Sequence, residues 1–322
     1  MTLACTVSDR TRPILDGRVT LEGCDVSFVT GEPEDLFARA LRVGDVDVTE
    51  LSLSSHVLVK ARGEATYLGV PVFPSRAFRH SAVYVRSDRA IDRPEDLAGT
   101  TIGVPEYQQT AGLWVRGILA DHHGVPPSRI RWRSGGLERP GAEERAPIRV
   151  NEDIDLMPIP SGATLSGMLA AGELDGVISP RPPSCFREGD PNVKRLWADH
   201  RAAERGFFER TRLFPIMHLV AIRADVVERH PWLPARVFAA FADAKRIAID
   251  ELEQTNFLRV MMPWVDLDPI RALMGDDFWP YGLAPNRREL EAVARWSFDE
   301  GLAARRLDPE ELFEPSTLDL AG

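Results

Sequence analysis

Short apolar runs along the chain alternate with longer stretches in which apolar residues recur every three or four positions. The first pattern predicts buried β-strands and the second predicts amphipathic helices. The predicted strands are Leu3–Val7, Val46–Leu51, Ala82–Val85 and Leu219–Ile222. The predicted helices are Glu34–Val43 and Pro234–Leu252. Residues 135–147 are rich in glycine, proline and charge, which predicts an exposed loop. This alternation indicates an α/β fold.

Two internal similarities suggest that the fold is built from two related halves. The segment 41–47 (L-x-x-G-D-V-D) is matched by 169–175 (L-x-x-G-E-L-D), and each glycine suits the positive φ that ends many helices. A second matched pair starts at His80 and at His218, and each is predicted to lead into a strand. Two crossings of this kind are typical of a hinged, two-lobed fold. We therefore predict one lobe from residues 1–80 and 217–322, a second from residues 81–216, and a ligand cleft between them.

Composition narrows the class of protein. The 322 residues are 44% hydrophobic and 27% charged, which is usual for a globular chain. The net charge of −10 argues against nucleic-acid binding, and the lack of an apolar run of 18 residues argues against a membrane span. The three cysteines show neither metal-ligand nor disulfide spacing. Because the first residues do not resemble a secretion signal, we expect a cytoplasmic protein.

Three stretches of the sequence resemble a known family. They are Phe78–Val85 with Pro94–Gly99; Gly103–Ala111 with Trp114–Gly117, Trp132, Gly135 and Gly136; and Phe214–His218 with His230–Trp232, Ala244 and Lys245. With these residues the chain resembles the 4,5-dihydroxyphthalate decarboxylases over about residues 1–300. The most specific motifs are Y-Q-x-T-A-x-x-W-x-R-G from Tyr107 and P-I-M-H from Pro215. The resemblance implies a type II periplasmic-binding-protein-like fold. It also implies a cofactor-independent carboxy-lyase that converts 4,5-dihydroxyphthalate to protocatechuate, with no metal.

Such a reaction replaces a ring carboxylate with a proton, so the enzyme needs a proton donor. Histidine gives and takes protons near neutral pH. His80 and His218 stand at matching places in the two halves, and we predict that they are the catalytic pair. The alternative is that each histidine only binds a carbonyl group at the hinge. A metal held by distant residues, such as His80 and His218 with a carboxylate, also stays open.

Arginine binds carboxylates through two parallel hydrogen bonds. Arg12, Arg79 and Arg181 are therefore candidates for holding the substrate. Arg79 would alternatively form a surface ion pair across the hinge, and Arg181 would alternatively be a solvated arginine in a loop. Gln108, Gln109 and Thr110 precede a predicted helix, whose free amides favour an anion. Thr110 would alternatively serve as a simple helix cap.

Ser52 and Ser54 end a predicted strand and are candidates for binding a ring hydroxyl, although serine at such a turn is often structural. Glu106 and Lys245 are predicted to be solvated.

Two other functions fit the same fold. One is a non-catalytic binding protein for a small aromatic anion, and the other is a decarboxylase or lyase acting on another carboxylated ring. The family resemblance also implies a homo-oligomer. The tryptophans Trp264, Trp279 and Trp296 would then supply either an interface or ordinary core.

Overall fold

The computed structural model describes residues 1–141, 143–254 and 267–322. Its strands are β1 (Thr2–Cys5), β2 (Ser27–Thr30), β3 (Val48–Ser52), β4 (Tyr67–Arg76), β5 (Val83–Arg86), β6 (Thr101–Val104), β7 (Arg131–Ser134), β8 (Leu156–Pro158), β9 (Gly176–Ile178), β10 (Val193–Arg195) and β11 (Ile216–Arg223).

The α-helices of the described residues are α1 (Arg12–Leu15), α2 (Pro33–Arg42), α3 (Leu53–Ala61), α4 (Thr110–His123), α5 (Leu165–Ala171), α6 (Ser184–Arg187), α7 (His200–Thr211), α8 (Ala224–Arg229), α9 (Leu233–Glu253), α10 (Asp268–Met274) and α11 (Arg287–Asp299). Within these described ranges, no helix is both long enough and apolar enough to span a membrane.

The strands form two mixed sheets, as predicted for a two-lobed α/β protein. The first sheet has the order β2-β1-β3-β11-β4, and the second has the order β10-β5-β9-β6-β7-β8. Strands of the first sheet come from both ends of the chain, whereas strands of the second come from the middle. The chain therefore crosses between the sheets after β4 and again before β11, although the exact lobe boundaries stay a prediction.

Local signals in the sequence place several elements well. Helix α2 begins at Pro33, has two acidic residues in its first turn, and is followed by Gly44 with φ of 70°. Gly172 ends α5 with φ of 76°, so both predicted helix-ending glycines are confirmed. Helix α9 extends the predicted helix by one residue at each end.

Alternate apolar residues on the strands of the second sheet point to opposite faces and belong to two different hydrophobic clusters. Val83, Val85 and Ile178 belong to the large core that also fills the first lobe. Tyr84 and Val177 point to the opposite face and belong to a small cluster of their own. Both faces of this sheet are therefore covered.

Two predictions of solvated charge are wrong. Lys245 is buried on α9, where its ammonium binds Asp277 and the carbonyl of Trp279. Glu106 forms an ion pair with Arg145 instead of facing solvent alone. Both side chains bind partners that are distant in sequence, so the local sequence pattern could not predict these contacts.

The C-terminal tryptophans that the sequence marked as interface or core differ in position. Trp296 is buried against the ring of Trp114, and Trp279 is partly buried. Trp264 lies outside the described residues.

Candidate active site

A cavity of about 280 Å³ lies between the two sheets, at the ends of strands and at the start of α4. Its walls come from both halves of the chain. They are formed by Glu32, Pro33, Glu34, Phe37, Ser52, Ser75, Arg79, Gln109, Thr110, Ala111, Arg145, Pro180, Arg181, Met217 and His218. Cationic, hydroxyl and imidazole groups converge here, and such a combination is usual for a site that binds a small polar molecule.

A larger cavity of about 620 Å³ lies elsewhere, between residues 41–67 of the first lobe and residues 143–147. The histidine in its wall is His56, whose ring nitrogen Nε2 lies 2.8 Å from the carbonyl oxygen of Leu312. Burial lowers the pKa of His56 to about 4, so this imidazole is neutral near pH 7. His56 is therefore a neutral group held by a backbone carbonyl, which makes the larger cavity a poorer candidate for acid–base chemistry.

The sheet register brings His218 next to a carboxylate. His218 on β11 pairs with Ser52 on β3, so Glu50 lies diagonally across on the same face. The Nδ1 atom of His218 is 2.6 Å from Oε1 of Glu50. The other oxygen of Glu50 accepts hydrogen bonds from the backbone amide and the hydroxyl of Thr6, at 2.8 and 2.7 Å. Three neighbouring strands thus assemble one hydrogen-bonded unit.

Glu50 carries its charge although its side chain is wholly inaccessible to solvent. Desolvation by itself raises the pKa of Glu50. The hydrogen bond and charge of His218 and the bonds from Thr6 outweigh it, so the pKa of Glu50 lies below its usual value. An ionised carboxylate accepts hydrogen bonds but cannot donate them, so Nδ1 of His218 must carry the hydrogen. The Nε2 atom of His218 is then the atom left for chemistry.

Arg79 is the cation whose charge is least compensated in this cavity. Its Nε donates to the sulfur of Met217 at 3.1 Å, and within the described residues no carboxylate forms an ion pair with it. Desolvation lowers the pKa of Arg79 to about 10, so it stays protonated near neutrality. A half-buried guanidinium of this kind suits an anionic ligand.

The two other arginines of the cavity have carboxylate partners. Arg145 makes a two-point ion pair with Glu106, with both N–O distances at 2.7 Å. Arg181 reaches across the cleft to Glu32 and Glu34, at 2.8 and 2.7 Å. The contacts of Arg181 join the two halves of the chain at the rim, and both sets of ion pairs leave Arg79 as the better anion site.

The start of α4 adds backbone donors to the cavity wall. Gln109 is the N-cap residue but makes no side-chain cap, and no acceptor within the described ranges takes the amides of Thr110 or Ala111. The Thr110 hydroxyl instead bonds Ser52 Oγ at 2.9 Å and accepts from the amide of Ser54 at 3.1 Å. Free amides at a helix N-terminus favour a carboxylate.

The Y-Q-x-T-A-x-x-W-x-R-G motif holds α4 in this place. Trp114 donates a hydrogen bond from Nε1 to the carbonyl of Ile216, which precedes His218 by two residues on β11. A Cβ atom on Gly117 would lie 2.2 Å from the ring of Trp296, so only glycine lets α11 pack so closely. Arg116 binds the buried Glu300 through Nε at 2.8 Å. Most of the motif therefore anchors the helix, and its first turn faces the cavity.

The structure places some sequence-predicted residues in the cavity and others elsewhere. His218, Arg79, Arg181, Ser52, Gln109 and Thr110 line it. Gln108 is buried behind it and binds Glu144 and the carbonyl of Ala146. Ser54 is buried and its hydroxyl has no partner among the described atoms.

His80 and Arg12, like Gln108 and Ser54, are predicted site residues that do not line the cavity. The ring of His80 packs against Trp197 and Phe207 in the second lobe. Arg12 is exposed at the first position of α1, because Pro13 and Ile14 take the buried side of that short helix. Their predicted roles find no support in this placement.

The sequence interpretation missed several groups of the site, above all Glu50. A single carboxylate inside an otherwise uncharged, fully buried strand is unusual. This feature of the sequence could have indicated a functional role for Glu50. Arg145 and Ser75 also line the cavity and gave no local signal. The described residues contain no group of three or more His, Cys, Asp or Glu that could hold a metal ion.

Comparisons with known proteins agree with this architecture. The chain is 47% identical to the 4,5-dihydroxyphthalate decarboxylase of Comamonas testosteroni over 313 residues, which cover 97% of this chain and 95% of that one. It is also 47% identical to the 4,5-dihydroxyphthalate decarboxylase of Pseudomonas putida over 199 residues, covering 62% of this chain and 77% of the relative. Residues 15–139 match the family model of the ABC-transporter phosphonate periplasmic substrate-binding protein.

Solved structures show the same fold at low sequence identity. The periplasmic aliphatic sulphonate binding protein SsuA of Escherichia coli superposes with a TM-score of 0.55 at 13% identity, covering 99% of both chains. A mutant of the enzyme DSZB, in complex with biphenyl-2-sulfinic acid, gives a TM-score of 0.54 at 15% identity, covering 99% of this chain and 97% of that one. The two-lobed binding-protein fold is thus shared by a transport protein and an enzyme.

Proposed function

Since this chain belongs to the 4,5-dihydroxyphthalate decarboxylase family, we propose that its cleft cavity removes one carboxylate from 4,5-dihydroxyphthalate. The reaction makes protocatechuate and carbon dioxide. Two observations carry the assignment to this cavity: His218, which is bound to the buried Glu50, and Arg79, which has no carboxylate partner among the described residues, both line its wall. One group supplies a proton, and the other holds a carboxylate.

Arg79 and the first turn of α4 bind the carboxylate that stays on the ring. The guanidinium offers two parallel N–H donors, and the amides of Thr110 and Ala111 offer two more. A dianionic substrate offsets the cost of keeping an unpaired cation partly out of water. Binding energy is then used to orient the ring, which is what a decarboxylase requires of this end of the cavity.

His218 gives its proton to the ring carbon that bears the departing carboxylate. Electrons from the para hydroxyl group flow into the ring as the new C–H bond forms. The bond from that carbon to the carboxylate then breaks, its electron pair restores the aromatic ring, and carbon dioxide leaves. The imidazole of His218 regains a proton from solvent after product release.

Two serines flank His218 in the sheet. Ser52 on β3 and Ser75 on β4 both pair with His218 across β11, and both line the cavity. We propose that their hydroxyls bind the ring hydroxyls, since serine both donates and accepts hydrogen bonds. This arrangement would orient the catechol edge of the substrate relative to the histidine.

The test is incubation of metal-stripped protein with 4,5-dihydroxyphthalate, following protocatechuate and carbon dioxide. We expect catalytic turnover without added metal or cofactor, and loss of turnover in His218→Gln. Saturable binding with no product would instead favour a binding protein for an aromatic anion. Turnover restored only by a divalent metal would contradict the cofactor-independent mechanism.

We also propose that the enzyme acts in the cytoplasm as a homo-oligomer, as the sequence interpretation expected. Light scattering on the purified protein measures its mass in solution, and fractionation of cells that express it measures its location. A monomer, or a protein found in an extracytoplasmic fraction, would overturn the corresponding part of this proposal.

A further inference from the structure

We propose that Glu50 is a positioning residue that holds the ring of His218 with Nδ1 toward the carboxylate and Nε2 toward the cavity, the orientation in which His218 gives its proton to the substrate. This inference rests on the proposed function of the cavity but goes beyond it. Glu50 is not part of the cavity wall, so its role is exerted through His218. The following observations support this role.

The orientation of the His218 ring is fixed on two sides. Its Nδ1 binds Glu50 at 2.6 Å, and its ring makes a T-shaped contact with Phe37, with the ring centroids 4.7 Å apart and an interplanar angle of 79°. These contacts fix the ring, because rotation about its side-chain bonds would break the first and crowd the second. The Nε2 atom is left as the free nitrogen in the cavity wall.

Thr6 prevents the carboxylate of Glu50 from turning away. Both hydrogen bonds from Thr6 reach Oε2 of Glu50, whereas His218 uses Oε1. Each oxygen therefore has a different partner, and the carboxylate plane is set by the end of β1. Stability alone does not explain a charge that is buried so deeply, because proteins in which apolar residues replace a buried ion pair are often as stable as the original.

The charge of Glu50 also fixes which nitrogen of His218 faces the substrate. An ionised carboxylate only accepts hydrogen bonds, so Glu50 keeps one hydrogen on Nδ1. The proton that is transferred to carbon therefore leaves from Nε2, the nitrogen in the cavity wall. Replacement of the carboxylate by an amide removes this constraint on the ring.

The other titratable groups around the pair do not compete for this role near neutrality. Burial, and then the charge of Glu50, raise the pKa of Cys5 to about 12, and burial raises the pKa of Tyr281. Arg79, with a pKa of about 10, stays charged. The remaining charged groups that face the cavity are Arg145, Arg181, Glu32 and Glu34.

Glu50→Gln tests the proposal, because the amide keeps the shape of the side chain but loses its charge. We expect kcat to fall by about 10²- to 10⁴-fold, the range for loss of acid–base assistance. We expect KM to change by less than about threefold, since Glu50 does not touch substrate. The variant also loses a charge beside the proton donor, so the pH limb of kcat, its decline as pH rises, should not coincide with that of the wild type.

Glu300→Gln is the matched control. It removes the charge of another buried carboxylate, one that pairs with Arg116 outside the cavity. We expect it to leave the pH limb of kcat where the wild type has it, even if the variant is less stable. A shift equal to that of Glu50→Gln would mean that the limb reports general stability, and it would overturn the proposal.

Two conservative variants cover the case in which Glu50→Gln does not fold. Glu50→Asp keeps the charge but draws it back, so kcat should fall while the pH limb stays within about half a unit of the wild type. Thr6→Val removes only the hydroxyl bond to Glu50, and we expect a fall in kcat of about threefold to tenfold. Full activity in both variants would overturn the positioning role.

A spectroscopic readout separates this proposal from the proposed function. In ¹⁵N-labelled protein, the Nδ1 proton of His218 should give a strongly deshielded signal that disappears in Glu50→Gln and persists in Glu300→Gln. Absence of that signal in the wild type would overturn the proposal about Glu50, even if His218→Gln is inactive. Full turnover of His218→Gln would instead overturn the proton donor itself.

Discussion

His80 and His218 occupy matching places in the two sequence repeats, yet their surroundings are opposite. His218 lies within β11, beside an ionised carboxylate and in the wall of the cleft cavity. His80 lies in a short 3₁₀ turn before β5, among the rings of Trp197 and Phe207. Burial lowers the pKa of His80 to about 4, with further lowering by neighbouring histidines and an arginine. His218 therefore has a buried carboxylate as its partner, whereas His80 has aromatic rings around it and stays neutral near pH 7.

This contrast shows that two histidines at matching positions of a sequence repeat need not have the same chemical surroundings. The two segments enter their sheets at different positions, so their histidine side chains point into different environments. A partner of opposite charge, and not the residue type, decides whether an imidazole can serve as an acid near pH 7. The following experiments test this contrast in order of decreasing effect.

The largest difference should appear in turnover. His218→Gln should lower kcat by about 10²- to 10⁴-fold, because the proton donor is removed. His80→Phe should change kcat by less than about threefold, since an aromatic ring suits the space between Trp197 and Phe207. Steady-state kinetics of the two purified variants makes this comparison. Equal losses in both would restore the two-histidine mechanism.

A second comparison sets Arg79 against Arg12. Arg79→Gln should raise KM about 10- to 100-fold, the effect of losing a charged hydrogen-bonded contact to a carboxylate. Arg79→Lys should fall between this variant and the wild type, because lysine keeps the charge but not the two parallel donors. Arg12→Gln should leave KM within about twofold, since Arg12 is exposed away from the cavity. A larger effect at Arg12 would mean that the cavity extends to α1 when substrate binds.

The buried histidines should make folding sensitive to acid. His80 and His56 both have a pKa of about 4 in the folded protein, against about 6.5 in the unfolded chain. The unfolded state therefore binds more protons between these values, and stability is lost as pH falls from 6.5 toward 4. Preferential protonation of each of these histidines in the unfolded chain should lower the free energy of unfolding by about 2 kcal/mol between pH 7 and pH 5.

His80→Phe checks that cost directly. The variant cannot be protonated at this position, so its unfolding free energy should fall less on acidification than that of the wild type. His56 remains in both proteins and keeps part of the pH dependence. Denaturant unfolding at pH 7 and pH 5 measures the difference, and parallel losses in both proteins would show that His80 is protonated or solvated in the fold.

Much of the fold could be predicted from local pattern, but less of the site could. Pro33 and Gly44 bound α2 by rules that act within a few residues, and the prediction was close. The cavity depends on the register between β3 and β11, which are separated by more than 160 residues. Glu50 could therefore be noticed as an unusual charge, but its partner could not be identified. The prediction that His80 lines the cavity failed for a related reason. A sequence repeat does not determine the direction in which a side chain points.

The smallest effect should come from the ion pairs at the cleft rim. The side chain of Arg181 is 55% exposed, and those of Glu32 and Glu34 are 69% and 36% exposed, so water and salt screen their attraction. Exposed ion pairs contribute about 0 to 1 kcal/mol. Arg181→Gln should therefore change KM by less than about threefold, and high salt should reduce even this difference. A large, salt-independent rise in KM would show that Arg181 binds substrate directly in the closed cleft, and the division between a charged rim and a single interior cation at Arg79 would then fail.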